Sequence, residues 1–235
     1  MRVEPIKTRI FKEGENLATF IEEHVPRLQE GSILVVASKI VALAEGRTVA
    51  KPVKEEDLIQ QESEWMRHVW GKWWLTVRDG TIVVNAGIDE SNVYPNPKGA
   101  GGKLILLPKD SFTSAKRLYS SILQNYGIRN CGIIITDSRI MPLRAGVVGV
   151  ALGYAGFRGV RDYRGTPDLF GRAMEVTQTD VADSLATAAT LVMGEGSESQ
   201  PLAVIEDAPV EWTDVVDREE LKIPREQDMF KHLFD

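Results

Sequence analysis

Two acidic segments follow predicted buried strands, and their residue types suit metal or phosphate chemistry. Asp89 begins a polar turn after the strand predicted at Ile82–Val84, and Asp137 and Ser138 follow the strand predicted at Cys131–Thr136. Loops at strand ends hold functional side chains on a rigid base. Two such carboxylates meeting at one sheet rim would form an oxygen site for Mg²⁺ or Mn²⁺, often completed by nucleotide phosphates.

Glu195, in a glycine-flanked turn after a predicted helix, is a third possible metal ligand. The alternative is that these acidic and hydroxyl residues only form turns and helix caps, because Asp, Asn and Ser favour such positions in any protein. The pattern by itself leaves both interpretations open.

The segment 158–172 is rich in charge and glycine. Its charged residues are Arg158, Arg161, Arg164 and Arg172, with Asp162 and Asp168 between them. Arginine forks bind phosphates and carboxylates through two parallel hydrogen bonds. The segment is therefore either an anion-binding loop or a solvated loop with internal ion pairs.

Composition excludes several classes of protein. With 28 basic and 34 acidic side chains the net charge is −6, which disfavours binding to nucleic acid or to an anionic membrane. No apolar run approaches the ~20 residues of a membrane span, and the first residues lack a signal-peptide core, so we expect a cytoplasmic protein. The one cysteine, Cys131, excludes a disulfide framework and lies in an apolar run, which predicts a buried, inert thiol.

Hydrophobic spacing predicts a chain of mixed strands and helices. We expect helices at 15–29, 54–69, 111–126, 179–193 and 225–234, and strands at 33–37, 104–107, 131–136, 145–157 and 202–205. Asp79-Gly80, between the β-rich runs 73–77 and 81–84, predicts a hairpin. Because no regular βαβ period is present, the fold class expected is α+β, with mixed sheets and flanking helices.

Four tryptophans, Trp65, Trp70, Trp73 and Trp74, lie within ten positions. They are suited to stacking on a planar ring system. The favoured interpretation is that they belong to the core or to a subunit interface.

Several segments together resemble the coenzyme F420-0:L-glutamate ligase family. They are VVASKIVALAEGR around Ser38, AGIDESNV at 86–93, the Thr136-Asp137-Ser138 triplet, RDYRGTPDLFGR at 161–172 and ADSLATAATLVMGEG at 182–196. The resemblance extends from about residue 3 to about residue 206 in the family's order.

This resemblance implies an unusual α+β fold and an intertwined homodimer. It places one ligase-like domain, or two interlocked subdomains, at 1–206 and leaves 207–235 as a C-terminal extension with an amphipathic helix. It implies a ligase that adds L-glutamate in γ linkage to a deazaflavin coenzyme precursor, with GTP as co-substrate and Mn²⁺ or Mg²⁺ as the metal. The sequence leaves ATP open as the alternative nucleotide. An acyl phosphate would be the intermediate.

The resemblance also implies roles for individual residues. Asp89 and Asp137 match the family's metal-binding aspartates and are expected to be catalytic, while Ser138 and Glu195 complete the metal site. The expected nucleotide contacts are Ser38, Lys39, Asn92 and Arg172.

The chain departs from the family pattern at two places. Leu43 stands where the pattern has a second nucleotide-contacting lysine, which removes a cation from a phosphate site. The Gly-Arg-Pro element usual after the Asp-Ser pair is replaced by Arg139-Ile140-Met141-Pro142-Leu143-Arg144, and we expect Arg144 to act as the anion clamp.

These departures leave alternatives to the F420-0 ligase. One is a folate-type ligase that forms the same γ-glutamyl bond on another carrier. Another is a non-catalytic homologue that binds nucleotide or metal, or a purely structural dimer. The partners expected in the enzyme case are small molecules, with neither nucleic acid nor membrane.

Overall fold

The computed structural model describes residues 1–91 and 102–234. Within these ranges the chain has the predicted α+β class, with strands in several sheets and five α-helices. The strands are β1 (Arg2–Ile6), β2 (Ile33–Ala37), β3 (Thr48–Ala50), β4 (Trp65–Trp70), β5 (Trp73–Arg78), β6 (Thr81–Val84), β7 (Lys103–Ile105), β8 (Gly132–Ile140), β9 (Val147–Ala155), β10 (Val160–Asp162), β11 (Gln178–Asp180) and β12 (Leu202–Glu206). The helices are α1 (Leu17–His24), α2 (Ser38–Ala44), α3 (Glu55–Gln61), α4 (Ser111–Tyr126) and α5 (Val181–Met193).

The central sheet has the strand order β1-β12-β2-β8-β9. β2 and β8 are parallel, with Val36 opposite Ile135, and the other neighbours are antiparallel. Smaller sheets are formed by β4-β5-β6, by β3-β7 and by β10-β11. The parallel pair matters for function because the chain leaves β2 directly into α2, at the edge where β8 carries Asp137.

Both faces of the central sheet are covered. Leu34 and Val36 face an apolar layer that includes residues of α1, α2 and α4, whereas Ile33 and Val35 face α5. All four side chains are fully buried, and each contributes about 2 kcal/mol through burial. Alternate strand residues point to opposite faces. Because both faces are buried here, the run is apolar throughout and does not alternate with polar residues. The two layers fix α2 and the end of α5 on either side of one sheet edge.

Local signals explain the ends of the long helices. Asp110 caps α4 by accepting a hydrogen bond from Thr113 N at 2.9 Å, and Gly127, with φ of 65°, ends it. Asp180 caps α5 by accepting from Asp183 N at 2.9 Å, and Gly194, with φ of 79°, follows its last residue. The turn that carries Glu195 is therefore set by a glycine at the end of a capped helix.

Several predicted elements differ from the structure in extent or type, among them the helix predicted at 15–29, which spans only Leu17–His24, and three differences bear on the rest of the fold or on the site. The helix predicted at 54–69 ends at Gln61, because Trp65–Trp70 pairs with β5 as a strand instead. The C-terminal helix predicted at 225–234 is replaced by two single-turn 3-10 helices, in which Arg225 donates to the Phe234 carbonyl and Phe234 packs against Trp65. The strand predicted at 131–136 begins at Gly132 and continues to Ile140, because β9 pairs with it from Ile133 to Ile140. Asp137 and Ser138 therefore lie within a strand, not after one.

The four clustered tryptophans do not form a core. Trp70 is 67% exposed and Trp73 38% exposed, while Trp65 and Trp74 are half-buried. The core interpretation is wrong for this chain, and the subunit-interface interpretation stays a prediction. Cys131 is fully buried, as predicted, and burial raises the pKa of its thiol to about 12.

Two acidic residues meet at the start of α5. Asp183 Oδ1 accepts a hydrogen bond from Ala151 N at 2.8 Å, on the strand opposite the irregular pairing at Ile135 and Thr136. Desolvation by the surrounding atoms, followed by repulsion from Asp183, raises the pKa of the Asp180 carboxyl to about 7. Asp180 itself remains at the surface.

Candidate functional site

A cavity of about 990 Å³ opens at the edge of the central sheet where β2 leads into α2. Its wall brings together the start of α2, the middle of β8, the turn after β6 and the turn after α5. The predicted site residues in this wall are Ser38, Lys39, Asp89, Asp137, Ser138 and Glu195. They come from four separate parts of the chain, and the cavity lies within the size range of small-molecule sites.

Asp137 is held from two sides. Ser38, the first residue of α2, donates from Oγ to Asp137 Oδ1 at 2.9 Å. Arg139, two residues along the same strand, forms an ion pair with Asp137 Oδ2. Residues two apart on a strand share a face, so the Arg139 guanidinium contacts the Asp137 carboxylate directly along the strand. The Asp137 carboxylate is thus oriented by one hydroxyl and one cation.

Asp89 lies in a second polar group. Lys39 Nζ is 2.7 Å from Asp89 Oδ2 and 2.9 Å from Ser91 Oγ. Ser91 also donates from Oγ and from its backbone N to the same carboxylate. Burial pushes the pKa of Asp89 up, but the bonds from Lys39 and Ser91 outweigh it and lower the pKa to about 2. Asp89 is therefore ionised at neutral pH.

Glu195 interacts electrostatically with a residue of each polar group, Asp137 and Lys39. Burial raises the pKa of Glu195, and repulsion from Asp137 raises it further, whereas a hydrogen bond with Ser138 and the charge of Lys39 oppose this. The carboxylates of Glu195 and Asp137 therefore repel each other across the cavity. A bound cation would relieve that repulsion.

The donor chemistry suits a hard divalent cation. Asp89, Asp137, Glu195 and the Ser138 hydroxyl offer only oxygen ligands, which Mg²⁺ and Mn²⁺ prefer. Over residues 1–91 and 102–234, however, no three His, Cys, Asp or Glu side chains are already grouped as a metal site. Lys39 and Arg139 instead neutralise two of the carboxylates. A metal would share or replace these ion pairs.

Two predicted site residues, Arg144 and Arg172, are not brought to this wall. A third, Asn92, lies outside the described residues. Arg144 is exposed on the turn between β8 and β9 and does not line the cavity. Arg172 is also absent from the wall and pairs with Asp168, with Nη2 and Oδ2 3.0 Å apart. Arg164 pairs with Asp162 in the same way, so ion pairs within the loop account for both arginines.

Sequence reasoning missed Arg139 and Arg9. The Arg139 side chain is 6% exposed, and its Nε and Nη2 have no hydrogen-bond partner among the described residues. The signal was its spacing of two from Asp137, which becomes meaningful only when β8 is extended past Thr136. Arg9 also lines the cavity, held by Glu15 and Glu23 at 2.9 and 3.0 Å. No sequence motif marks it.

Fold and site together define an α+β protein with a large cavity for small molecules, one side of which carries carboxylates and cations. A profile of the F420-0:gamma-glutamyl ligase family matches residues 5–54 and 50–207. The chain therefore belongs to this family.

No helix in the described part of the chain has the length and apolar character needed to cross a membrane.

Curated relatives agree with the family assignment. The chain is 36% identical to the coenzyme F420:L-glutamate ligase of Archaeoglobus fulgidus, over 87% of this chain and 88% of the relative. It is 36% identical to the enzyme of that name from Methanopyrus kandleri, over 87% and 86%. It is 32% identical to that of Methanocaldococcus jannaschii, over 95% and 94%.

Proposed function

We propose that this protein is a nucleotide- and metal-dependent ligase that adds L-glutamate in γ linkage to a carboxylate acceptor such as coenzyme F420-0. The observation that carries the proposal is the meeting of Ser38, Lys39, Asp89, Asp137 and Glu195 in one cavity of a member of this family. The family description supports the γ-glutamyl bond to F420-0, and the names of the relatives, which span nearly the same length, support L-glutamate and coenzyme F420 as the partners in ligation.

The reaction joins two anions and so needs positive charge between them. In the first step the γ-phosphoryl group of GTP would move to the acceptor carboxylate, which leaves GDP and an acyl phosphate. In the second step the glutamate amine would attack the acyl carbon, and the amide would form as phosphate leaves. Mn²⁺ or Mg²⁺, held by Asp89, Asp137, Ser138 and Glu195, would supply charge that stabilises the transferring phosphoryl group.

The chain's own residues have separable tasks in this scheme. Lys39 would leave Asp89 to bind nucleotide phosphate, as an ammonium group does at many phosphate sites. Ser38 and Arg139 would keep Asp137 oriented, which is a positioning role. The expected nucleotide contact of Asn92 and the anion clamp of Arg144 remain part of the proposal, and so does the contact of Arg172.

We also propose that the protein is a homodimer. The arm between β10 and β11 exposes Leu169, Phe170 and Val176 by 83% or more. Neighbouring exposed apolar side chains mark interaction sites in soluble proteins. The family resemblance implies an intertwined homodimer, and we propose that the second copy covers this arm.

A second candidate function is a non-catalytic homologue that binds nucleotide or metal. Leu43 favours it, because this residue lines the cavity at the position of the second lysine of the family pattern. A folate-type acceptor is the alternative within the ligase class.

Calorimetric titration with GTP and with ATP, each with and without Mn²⁺, tests nucleotide use first. Metal-dependent binding of one nucleotide, followed by a product heavier by one glutamyl residue when F420-0 and glutamate are added, supports the ligase. Product with a reduced folate only would identify the other acceptor. Binding without any product would favour the non-catalytic homologue.

A further inference from the structure

Trp73 forms part of the cavity wall although it belongs to a small peripheral sheet. Its side chain keeps 38% of its surface exposed. The wall also contains the apolar residues Ile10, Leu43, Val83, Ile88 and Leu106. The cavity wall thus includes apolar side chains and an indole ring, in addition to its carboxylates and cations.

The backbone around Trp73 is held firmly. Trp74 N donates to Asn85 Oδ1 at 2.8 Å, and Asn85 is 9% exposed and lines the same cavity. Trp73 pairs with Trp70 across the β4–β5 turn, and the two rings meet edge to face with centroids 6.4 Å apart. A strand residue fixed in this way presents its ring at little cost in conformational entropy when a ligand binds.

The neighbouring Trp70 gives a contrast. Trp70 is 67% exposed but does not line the cavity. The Lys72 ammonium lies 5.1 Å from the centroid of the Trp73 ring, a cation–π contact. Of these two exposed tryptophans on one hairpin, only Trp73 can meet a ligand that fills the cavity.

We propose that Trp73 is the stacking platform for the planar heteroaromatic ring of a substrate. This inference rests on the proposed function, which supplies two such rings: the deazaflavin of the acceptor and the base of the nucleotide. Aromatic side chains stack on any such ring because every one has a π face. The reacting carboxylate and the phosphates would then lie toward Ser38, Lys39 and Asp137.

Equilibrium binding tests the proposal with Trp73→Ala, Trp73→Phe and the matched control Trp70→Ala. The ligands are F420-0 alone and GTP with Mn²⁺, and thermal unfolding of each variant checks that it is folded. We expect Trp73→Ala to raise one dissociation constant about 5- to 100-fold. Trp73→Phe should restore most of the affinity. Trp70→Ala removes only the edge contact to the Trp73 ring and should lose much less affinity than Trp73→Ala. The ligand that is affected identifies the ring.

Unchanged dissociation constants for both ligands in folded Trp73→Ala overturn the proposal, as does an equal loss in Trp70→Ala. A separate measurement of product formation by the wild-type protein tests the ligase proposal independently of the stacking role of Trp73. Product formation with unchanged constants in Trp73→Ala refutes the stacking role alone. A shifted constant without product from the wild type refutes the ligase alone.

Discussion

Lys39 and Asp89 form an ion pair across the cavity wall, with Nζ and Oδ2 2.7 Å apart. The lysine comes from the first turn of α2 and the aspartate from the turn after β6. Each is also a residue to which the proposed reaction assigns another partner: phosphate for the lysine and metal for the aspartate. Substrate binding would therefore exchange partners rather than add charges to vacant positions.

Replacing Lys39 by Met should act in opposite directions on the two ligands. Nucleotide affinity should fall about tenfold or more, because a charge-assisted bond to phosphate is lost. Mn²⁺ affinity without nucleotide should rise, because the ammonium no longer competes for Asp89. Calorimetry with each ligand measures both effects, and Lys39→Arg is the charge-preserving control. A parallel loss of both affinities would argue against competition.

Asp137→Asn should abolish ligation, with a fall of at least about 100-fold in kcat, because the carboxylate that we propose to bind the metal becomes a neutral amide. Metal-dependent nucleotide binding should be lost with it. Asp207→Asn, on an exposed turn, is the control for the same chemical change. Turnover within a few-fold of wild type in Asp137→Asn would remove this residue from the proposed metal site.

Leu43→Lys tests the departure from the family pattern at the proposed phosphate site. Leu43 is half-buried and packs on the layer of α1, α2 and α4 while lining the cavity. A lysine can lay its methylene stem on that layer and extend its ammonium into the cavity. We expect several-fold tighter nucleotide binding than in wild type, by calorimetry, and no such gain in Leu43→Met. Weaker binding in a folded Leu43→Lys protein would contradict this.

The acidic pair at the start of α5 should make stability depend on pH. The folded state binds a proton more tightly at Asp180 than the unfolded chain does, since the pKa is raised from 3.8 to about 7. The resulting stabilisation is complete below about pH 4 and is lost as the pH rises to 7. The effect should be modest because Asp180 stays in contact with solvent.

Asp180→Asn isolates this effect because asparagine also caps helices well. Its free energy of unfolding in urea should match that of wild type at pH 4 and exceed it at pH 8. The control Asp207→Asn should follow the wild-type pH profile. If the free energy of unfolding of Asp180→Asn changed with pH in parallel with that of wild type, repulsion between Asp180 and Asp183 would not destabilise the folded state at high pH.

The exposed arm should control self-association. Leu169 and Phe170 are 98% and 83% exposed in the single chain. If a second copy covers them, the double substitution Leu169→Asp and Phe170→Asp should shift the protein from dimer to monomer in sedimentation velocity. Val215→Asp, at a 76% exposed position elsewhere, is the matched control. An unchanged sedimentation coefficient would place the interface on another surface.

The sequence predicted those elements that have one strong period and clear ends. Strand β2 and helix α4 have the predicted bounds, because a β-branched run and a capped amphipathic helix leave little choice. Trp65, Met66 and Val69 fit either a helix or a strand, and pairing with β5 decides for the strand. Such pairing is a tertiary effect that a local pattern does not contain.

The same limit applies to the site. Asp89, Asp137 and Glu195 stand out by residue type and by family motif, and the structure brings them to one cavity. Arg139 gains significance only because β8 continues past Thr136. Whether Trp73 or Trp70 reaches the cavity depends on how the small sheet is placed, which their spacing does not reveal.

The parallel pairing of β2 and β8 also sets when the site can exist during folding. Ser38 and Asp137 are 99 residues apart in the chain, and their bond requires that β2 and β8 already lie side by side. Closing so long a loop costs entropy before any contact repays it, so such pairings form slowly. Helices α4 and α5 can form earlier from local contacts. During refolding, the proposed nucleotide binding should therefore recover only when the sheet is complete, later than the helical circular dichroism signal. Nucleotide binding would then report on completion of the sheet.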